Sequence, residues 1–260
     1  MNPYINIVSP DPRFKIPPEY AETFSLMETR AEKLLATALQ FNETKKSGMF
    51  DCPQIVREEF VSNGDPFLPR GYYCPSPVID LIVGNCKRGK ILKRVTLRSR
   101  ITHRYIYGKQ GLMIVEKFGN DRKCFEREYL LHEAQKTIGI SVNEAGNIRR
   151  VVEELYKDGK SIEFFYATFE AFDGNHRVTQ THHEQYFYDE QGLCQCSFNY
   201  AGHGHWPVIN CETYNFNRVD GYLQSYYSVK NPSVIYTPKV KRLAMPPYFV
   251  GASGTSAPTE

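Results

Sequence analysis

The sequence predicts an α+β protein: a large antiparallel β-meander with an N-terminal amphipathic helix and a loop-rich cover. Two observations predict it. Three stretches share one grammar: Tyr107-Gly108-Lys109-Gln110-Gly111-Leu112, Val142-Asn143-Glu144-Ala145-Gly146-Asn147 and Tyr188-Asp189-Glu190-Gln191-Gly192-Leu193. Each ends a strand-like run, sets a glycine at the close of a short loop and opens another strand-like run. Glycine supplies the positive φ that such hairpin loops need. Asp158-Gly159 adds a two-residue turn, and Arg218-Val219-Asp220-Gly221 a fifth reversal. The second observation is helical. Tyr20, Phe24, Met27, Ala31, Leu34, Ala38 and Phe41 recur at steps of four and three, which makes one apolar stripe.

The elements follow in order. Residues 1–16 are proline-rich and irregular. Pro17-Pro18 opens a helix running to about Asn42, with Glu19, Glu22, Glu28 and Glu32 early and outward, as the helix dipole favours. The stripe is expected to lie on a sheet of the same chain. Its heptad-like steps also suit a coiled-coil partner. Residues 42–84 hold many prolines, glycines and aromatics and read as a loop-dominated cover, with a short helix from Pro53 to Val61. Strand-like runs then cover 93–107, 112–118, 123–131, 136–142, 147–157, 160–170, 176–188, 193–200, 208–217 and 222–230. Connections of two to four residues force antiparallel pairing of neighbours. Residues 1–92 are thus helix and cover, 93–250 the meander and 251–260 a small, polar, disordered tail, together one compact unit. A sheet of about ten strands curls or splits if it stays open.

Turn chemistry also predicts registers. A two-residue turn at Asp158-Gly159 sets Lys157 against Lys160 and Leu155 against Ile162, with Val151, Phe164 and Tyr166 on one face. A loop from Asp189 to Gly192 sets Phe187 against Cys194, Gln185 against Cys196 and His183 against Phe198. One face is then apolar with thiols and the other polar.

Tyr186-Phe187-Tyr188-Asp189-Glu190-Gln191-Gly192-Leu193 resembles the Tyr-x-Tyr-Asp-x-x-Gly-x-Leu core of YD repeats in bacterial RHS-type proteins, one residue short before the leucine. Tyr105 to Leu112 is a poorer copy without the aspartate, and Val142 to Gly146 keeps only Asn and Gly. The likeness covers about a tenth of the chain, at irregular spacing. It implies an RHS-like shell fragment as one reading of the function.

Composition narrows the rest. The 260 residues carry 32 basic and 29 acidic side chains, a net charge of +3. That balance gives no reason to expect nucleic acid, an anionic membrane or a strongly acidic substrate. The basic run Lys87-Arg88-Gly89-Lys90 through Lys93, Arg94, Arg98 and Arg100 reads as solvated loop or strand face. No apolar h-region stands near Met1, no run approaches the ~20 apolar residues of a membrane span, and seven scattered cysteines make no disulfide framework. A cytoplasmic chain with reduced thiols is expected, with signal-less secretion as an alternative.

No nucleophile elbow, phosphate loop or dinucleotide fingerprint is present. Cys74 or Cys211 beside a histidine lacks any signature, and Glu126, Glu128 and Glu133, with Arg127 and Lys136, read as an ion-laced solvent face. His182, His203, His205, Cys194 and Cys196 form the one metal-ligand candidate, and zinc is the ion that imidazole and thiolate would hold. Their spacing matches no known knuckle. The expected function is therefore a non-catalytic protein-binding module, an immunity or accessory protein of a bacterial toxin system. A metal-dependent hydrolase built on residues 182–211 is the enzymatic alternative. Tyr105, Tyr107, Tyr186, Tyr188 and Trp206 are the candidate contacts among 18 tyrosines, 16 phenylalanines and one tryptophan. Such amphipathic rings anchor protein interfaces.

Overall fold

The computed structural model describes residues 17–46, 54–76, 79–82, 86–172, 175–190, 192–202, 208–220, 222–237 and 242–243. The tail 251–260, Trp206, His203 and His205 lie outside the described residues. Helix α1 spans Pro18–Lys46. Proline suits its first turn, where the missing N–H has no helical partner.

The strands are β1 (Arg57–Ser62), β2 (Lys90–Ile91), β3 (Ile101–Gly108), β4 (Gly111–Phe118), β5 (Cys124–Glu133), β6 (Lys136–Asn143), β7 (Ile148–Lys157), β8 (Lys160–Phe172), β9 (Asn175–Asp189), β10 (Gly192–Gly202), β11 (Val208–Val219), β12 (Tyr222–Ser228), β13 (Asn231–Tyr236) and β14 (Arg242–Leu243). A 3-10 turn at Gly71–Tyr73 and a one-turn helix α2 (Ile79–Ile82) interrupt the segment between β1 and β2. All fourteen strands join one sheet. From β3 to β13 every strand pairs with its sequence neighbour, always antiparallel. β1 lies outside β3, β2 outside β1, and β14 pairs with β12. The turn glycines hold positive φ as expected: Gly111 at 109°, Gly146 at 79°, Gly159 at 72° and Gly192 at 114°.

Four expectations are corrected. Residues 57–62 form a strand, not a helix. The helix-forming Glu58 and Glu59 are overridden because β1 caps the edge of β3, where Glu58 meets Arg104 and Glu59 accepts from Tyr107. The strand expected from residue 93 starts at Ile101. Before it, Thr96 and Ser99 bond each other's backbone and turn the chain away. The run 222–230 ends at Ser228, and β13 follows after a turn at 229–230. Lys157 opposes Lys160 as predicted, but beyond the turns both registers slip by one. Bulges at Leu155/Tyr156 and Leu193/Gln195 set Glu154 against Phe164 and Cys196 against Tyr186. A one-residue slip exchanges faces. Phe164 and Tyr166 therefore share a core with Val152, while Phe165 and Ala167 lie with Val151.

The two faces are covered differently. Helix α1 lays Met27, Ala31, Leu34, Ala38 and Phe41 on Tyr129, Ile140, Ile148, Val151, Phe165 and Ala201. Burying each large side chain there contributes roughly 1.5–3 kcal/mol. On the opposite face the segments 64–76 and 79–82 lie over the sheet as a strap, with Leu68, Cys74 and Ile79 packed on Phe164, Tyr186, Phe198, Phe216 and Tyr226. No helix among the described residues is long and apolar enough to cross a membrane.

Candidate functional site

The strap face concentrates charge to a degree unusual for a protein core. Strand alternation brings His103, Lys117, Glu128, Arg150, Glu154, His182 and Glu184 to this face, and all are buried. Charges persist in an interior only when paired and hydrogen-bonded. Here the strap supplies partners for Lys117, Glu128, Glu154 and Glu184, while Arg150 lies over the Tyr166 ring.

Arg70 is the first hub. It is 4% exposed and sits at φ 54°, followed by Gly71 at 55°. Two left-handed residues in succession drive the chain down to the sheet and back. The Arg70 backbone N–H donates to Glu128 Oε2 at 3.0 Å, and its Nη1 donates to Glu154 Oε2 at 2.7 Å. Burial opposes charge on Arg70, but Glu154, Tyr156 and Glu128 outweigh it and raise its pKa. Burial pushes Glu154 above the usual carboxylate range, against the pull of Arg70. Glycine is required at Gly71, since a Cβ would lie 2.5 Å from His103 Nε2. It is required again at Gly139 on β6, where a Cβ would stand 2.2 Å from Glu128 Oε1. The Tyr105 hydroxyl donates to the Arg70 carbonyl at 2.9 Å and accepts from the Tyr72 N–H at 2.8 Å.

Beside it, Lys117 donates to Glu126 at 2.7 Å and to the Pro66 carbonyl at 2.9 Å. Burial lowers the Lys117 pKa and takes that of His103 to about 3, so the imidazole is neutral. The ion-laced solvent face expected of Glu126 and Glu128 is thus corrected. Glu128 is fully buried on Arg70, and Arg127 instead pairs with Glu116 across the strands. Only Glu133 and Lys136 pair as a surface couple, at 3.3 Å.

Glu184 is the second hub. It accepts from Ser76 Oγ at 2.7 and 2.9 Å and from the Tyr186 hydroxyl at 2.7 Å, and bonds His182 Nε2. Ser76 Oγ also accepts the Ile79 N–H at 2.9 Å, starting α2. A serine, a histidine and a carboxylate meet here, but the serine bonds the carboxylate and not the imidazole. Nucleophilic catalysis needs a base on the hydroxyl, so this is a tether. A third tether joins Tyr73 and Tyr107, whose hydroxyls share Glu59 Oε2.

The sequence-predicted site residues divide accordingly. Tyr105 is 0% and Tyr186 4% exposed, and both serve the strap. Tyr107 and Tyr188 are partly exposed, the latter donating to the Ser161 carbonyl at 2.6 Å. The metal set does not assemble from its described members. Cys196 stands opposite Tyr186, four strand positions from His182, yet both turn to Glu184: Cys196 Sγ lies 3.9 Å from Glu184 Oε2 and His182 Nε2 bonds Oε1. Cys194 is displaced by the bulge and bonds the Phe187 carbonyl at 3.3 Å. Among the described residues no three His, Cys, Asp or Glu side chains group as ligands. A cleft of about 270 Å³ lies elsewhere, between Lys45 at the end of α1 and Cys124, Arg127 and Glu144 at the strand ends.

The residues that sequence reasoning missed are Arg70, Lys117, Glu154, Glu184 and Ser76. One signal was available: Glu154 alternates with Val152, and Glu184 with His182 and Tyr186, all of them buried.

Beyond α1 the side chains of the other face are half-buried to exposed. A cross-strand row runs Phe187, Gln195, Asn215, Tyr227, Ile235 over β9 to β13. Gln195 donates to Asn215 at 2.9 Å, and Asn215 to the Tyr227 hydroxyl at 3.2 Å. Phe187 is 48% and Ile235 63% exposed at its two ends. The arrangement is an ordered polar ladder flanked by apolar anchors.

No protein-family model matches the chain, and no curated protein is significantly similar to it.

Proposed function

We propose that this chain is a non-catalytic protein-binding module, serving as an immunity or accessory partner in a bacterial toxin system. One observation carries the binding reading: the partly exposed row from Phe187 to Ile235. Its ladder fixes the rotamers of Gln195, Asn215 and Tyr227 before any partner arrives, so little side-chain entropy remains to be lost. Apolar anchors beside satisfied polar groups are the composition of a protein interface. A second line of support is the occupation of the buried acids and bases. Glu128, Glu154 and Glu184 are each already bonded to the strap within the buried core. Tyr188, next to Phe187 on β9, points to the strap face and lies outside this surface.

The experiment is co-purification of the tagged protein from its own cells, identification of the bound protein and reconstitution from purified parts. The expected result is a stable complex with one protein, weakened at least tenfold by Phe187→Asp or Ile235→Asp, variants of exposed sites that should melt as the parent does. A reconstituted complex indifferent to both changes removes the row as the interface. Near-stoichiometric zinc in the purified protein, lost on His203→Ala, would favour the hydrolase instead.

A further inference from the structure

A second surface lies at the opposite end of the sheet, where the loop 92–100 meets the β4–β5 turn. Arg122, held at φ 64°, donates from Nη2 to the Leu97 carbonyl at 2.6 Å. Arg100 reaches Asn120 Oδ1 at 3.4 Å. These bonds bring Lys93, Arg94, Arg98, Arg100, Arg122 and Lys123 together, all exposed. None of the six forms an ion pair among the described residues. Asp121 is the one acid in the two loops, and its Oδ1 accepts the Lys123 N–H at 3.1 Å. The whole chain carries only +3, so without these six cations acids outnumber bases. The charge is therefore concentrated and not a general property of the surface.

The same loop carries two exposed aliphatic side chains, Leu97 at 90% exposure and Val95 at 43%. The Thr96–Ser99 turn holds the loop that presents them. We propose that this tip docks an acidic protein segment that carries an apolar residue among its carboxylates. The inference rests on the reading of the chain as a protein-binding module and adds an interface separate from the Phe187–Ile235 row. Four of the six cations are arginines, whose planar forks match carboxylates in two-point contacts. The two loops hold no aromatic ring on which a nucleic-acid base could stack, and no helix to enter a groove. Nor do they hold the tryptophan or tyrosine that anchors a peripheral protein at a bilayer interface.

The test is fluorescence anisotropy with a labelled peptide of alternating glutamate and leucine. An all-glutamate peptide, a DNA duplex and phosphatidylserine vesicles serve as competitors. The expected result is binding of the Glu–Leu peptide in preference to all three. The affinity should fall about tenfold in Arg94→Glu/Arg98→Glu, because charge complementarity is removed. It should fall again in Leu97→Ser, with melting curves unchanged in both variants. No binding at low ionic strength, equal binding by the variants, or tighter binding of duplex or vesicles through the same residues would each overturn the proposal. The two readings fail separately. A native complex together with no binding of the Glu–Leu peptide sinks the tip and leaves the module. Peptide binding without any native protein partner does the reverse.

Discussion

Arg70 Nη1 donates to Glu154 Oε2 at 2.7 Å across 84 residues of sequence. This contact ties an irregular strap to the middle of a regular sheet, with both side chains almost wholly buried. A buried pair of this kind costs desolvation on both sides, and its worth appears when one partner is removed.

Arg70→Met leaves Glu128 and Glu154 buried without their counter-charge. The expected loss is about 3–5 kcal/mol, read by urea unfolding. Adding Glu154→Gln should return part of it, because one uncompensated charge disappears. A single variant as stable as the parent would show that the strap does not need this tie.

Acid should unfold the protein in two windows. Burial, then Lys117, depresses the His103 pKa from 6.5 to about 3 in the fold. The unfolded chain therefore binds the extra proton first, and this stability is present above 6.5 and lost as pH falls toward 3. Glu163 is also depressed. Burial pushes it up, but His183 and Arg30 outweigh that and bring it to about 2 from 4.5. Its contribution is lost as pH falls below 4.5. His103→Gln should flatten the stability profile in the upper window only, and Arg30→Gln in the lower. The slope of stability against pH is the measurement, whatever the overall level of each variant.

Gly139→Ala should destabilise although it stands in a strand, where alanine is ordinarily tolerated. The added methyl would meet Glu128 Oε1. The carboxylate would have to leave Arg70, so a loss of about 1–3 kcal/mol is expected. The same change at Gly146, where a Cβ meets nothing within 4 Å, should show only the backbone cost of φ 79°. Equal effects at the two sites would contradict the steric account.

Ala31 and Ala38 are fully buried where α1 rests on the sheet. Enlarging either to leucine would lift the helix off its seat. The expected cost is about 1–3 kcal/mol by thermal melting. Ala→Leu at an exposed helix position would be nearly silent, so a silent Ala38→Leu would mean a loosely seated helix.

The hairpins were legible because each turn is a local event. Gly111, Gly146, Gly159 and Gly192 declare positive φ in the sequence itself, and from β4 to β12 strand limits followed to within a few residues. The stripe of α1 was equally local, and Met27, Leu34 and Phe41 are buried as it implies. The bulges were not legible. Nothing near Leu155 or Leu193 announces an extra residue, since packing of Phe164 and Cys196 in the core decides it. β1 was misread because its partner Tyr105 lies 46 residues from Glu59 and outweighs helix propensity. The strap hubs were hidden for the same reason. A glutamate on a strand reads as solvent-facing until the residue above it is known, and Arg70, Ser76 and Tyr73 come from a segment with no period.

The sequential pairing from β3 to β13 has a consequence for how the chain acquires its shape. Each hairpin closes a short loop, which costs little entropy and can be rewarded early. The strap contacts span 58, 84 and 108 residues and have nothing to grip until several strands stand side by side. We therefore expect the sheet to be largely built before its cover is laid, with φ-values near zero at Arg70 and Ser76. While one face of the sheet is still bare, Lys117, Glu128, Arg150, Glu154 and Glu184 are hydrated. Charges that are expensive once enclosed then keep a newly formed sheet from sticking to its neighbours.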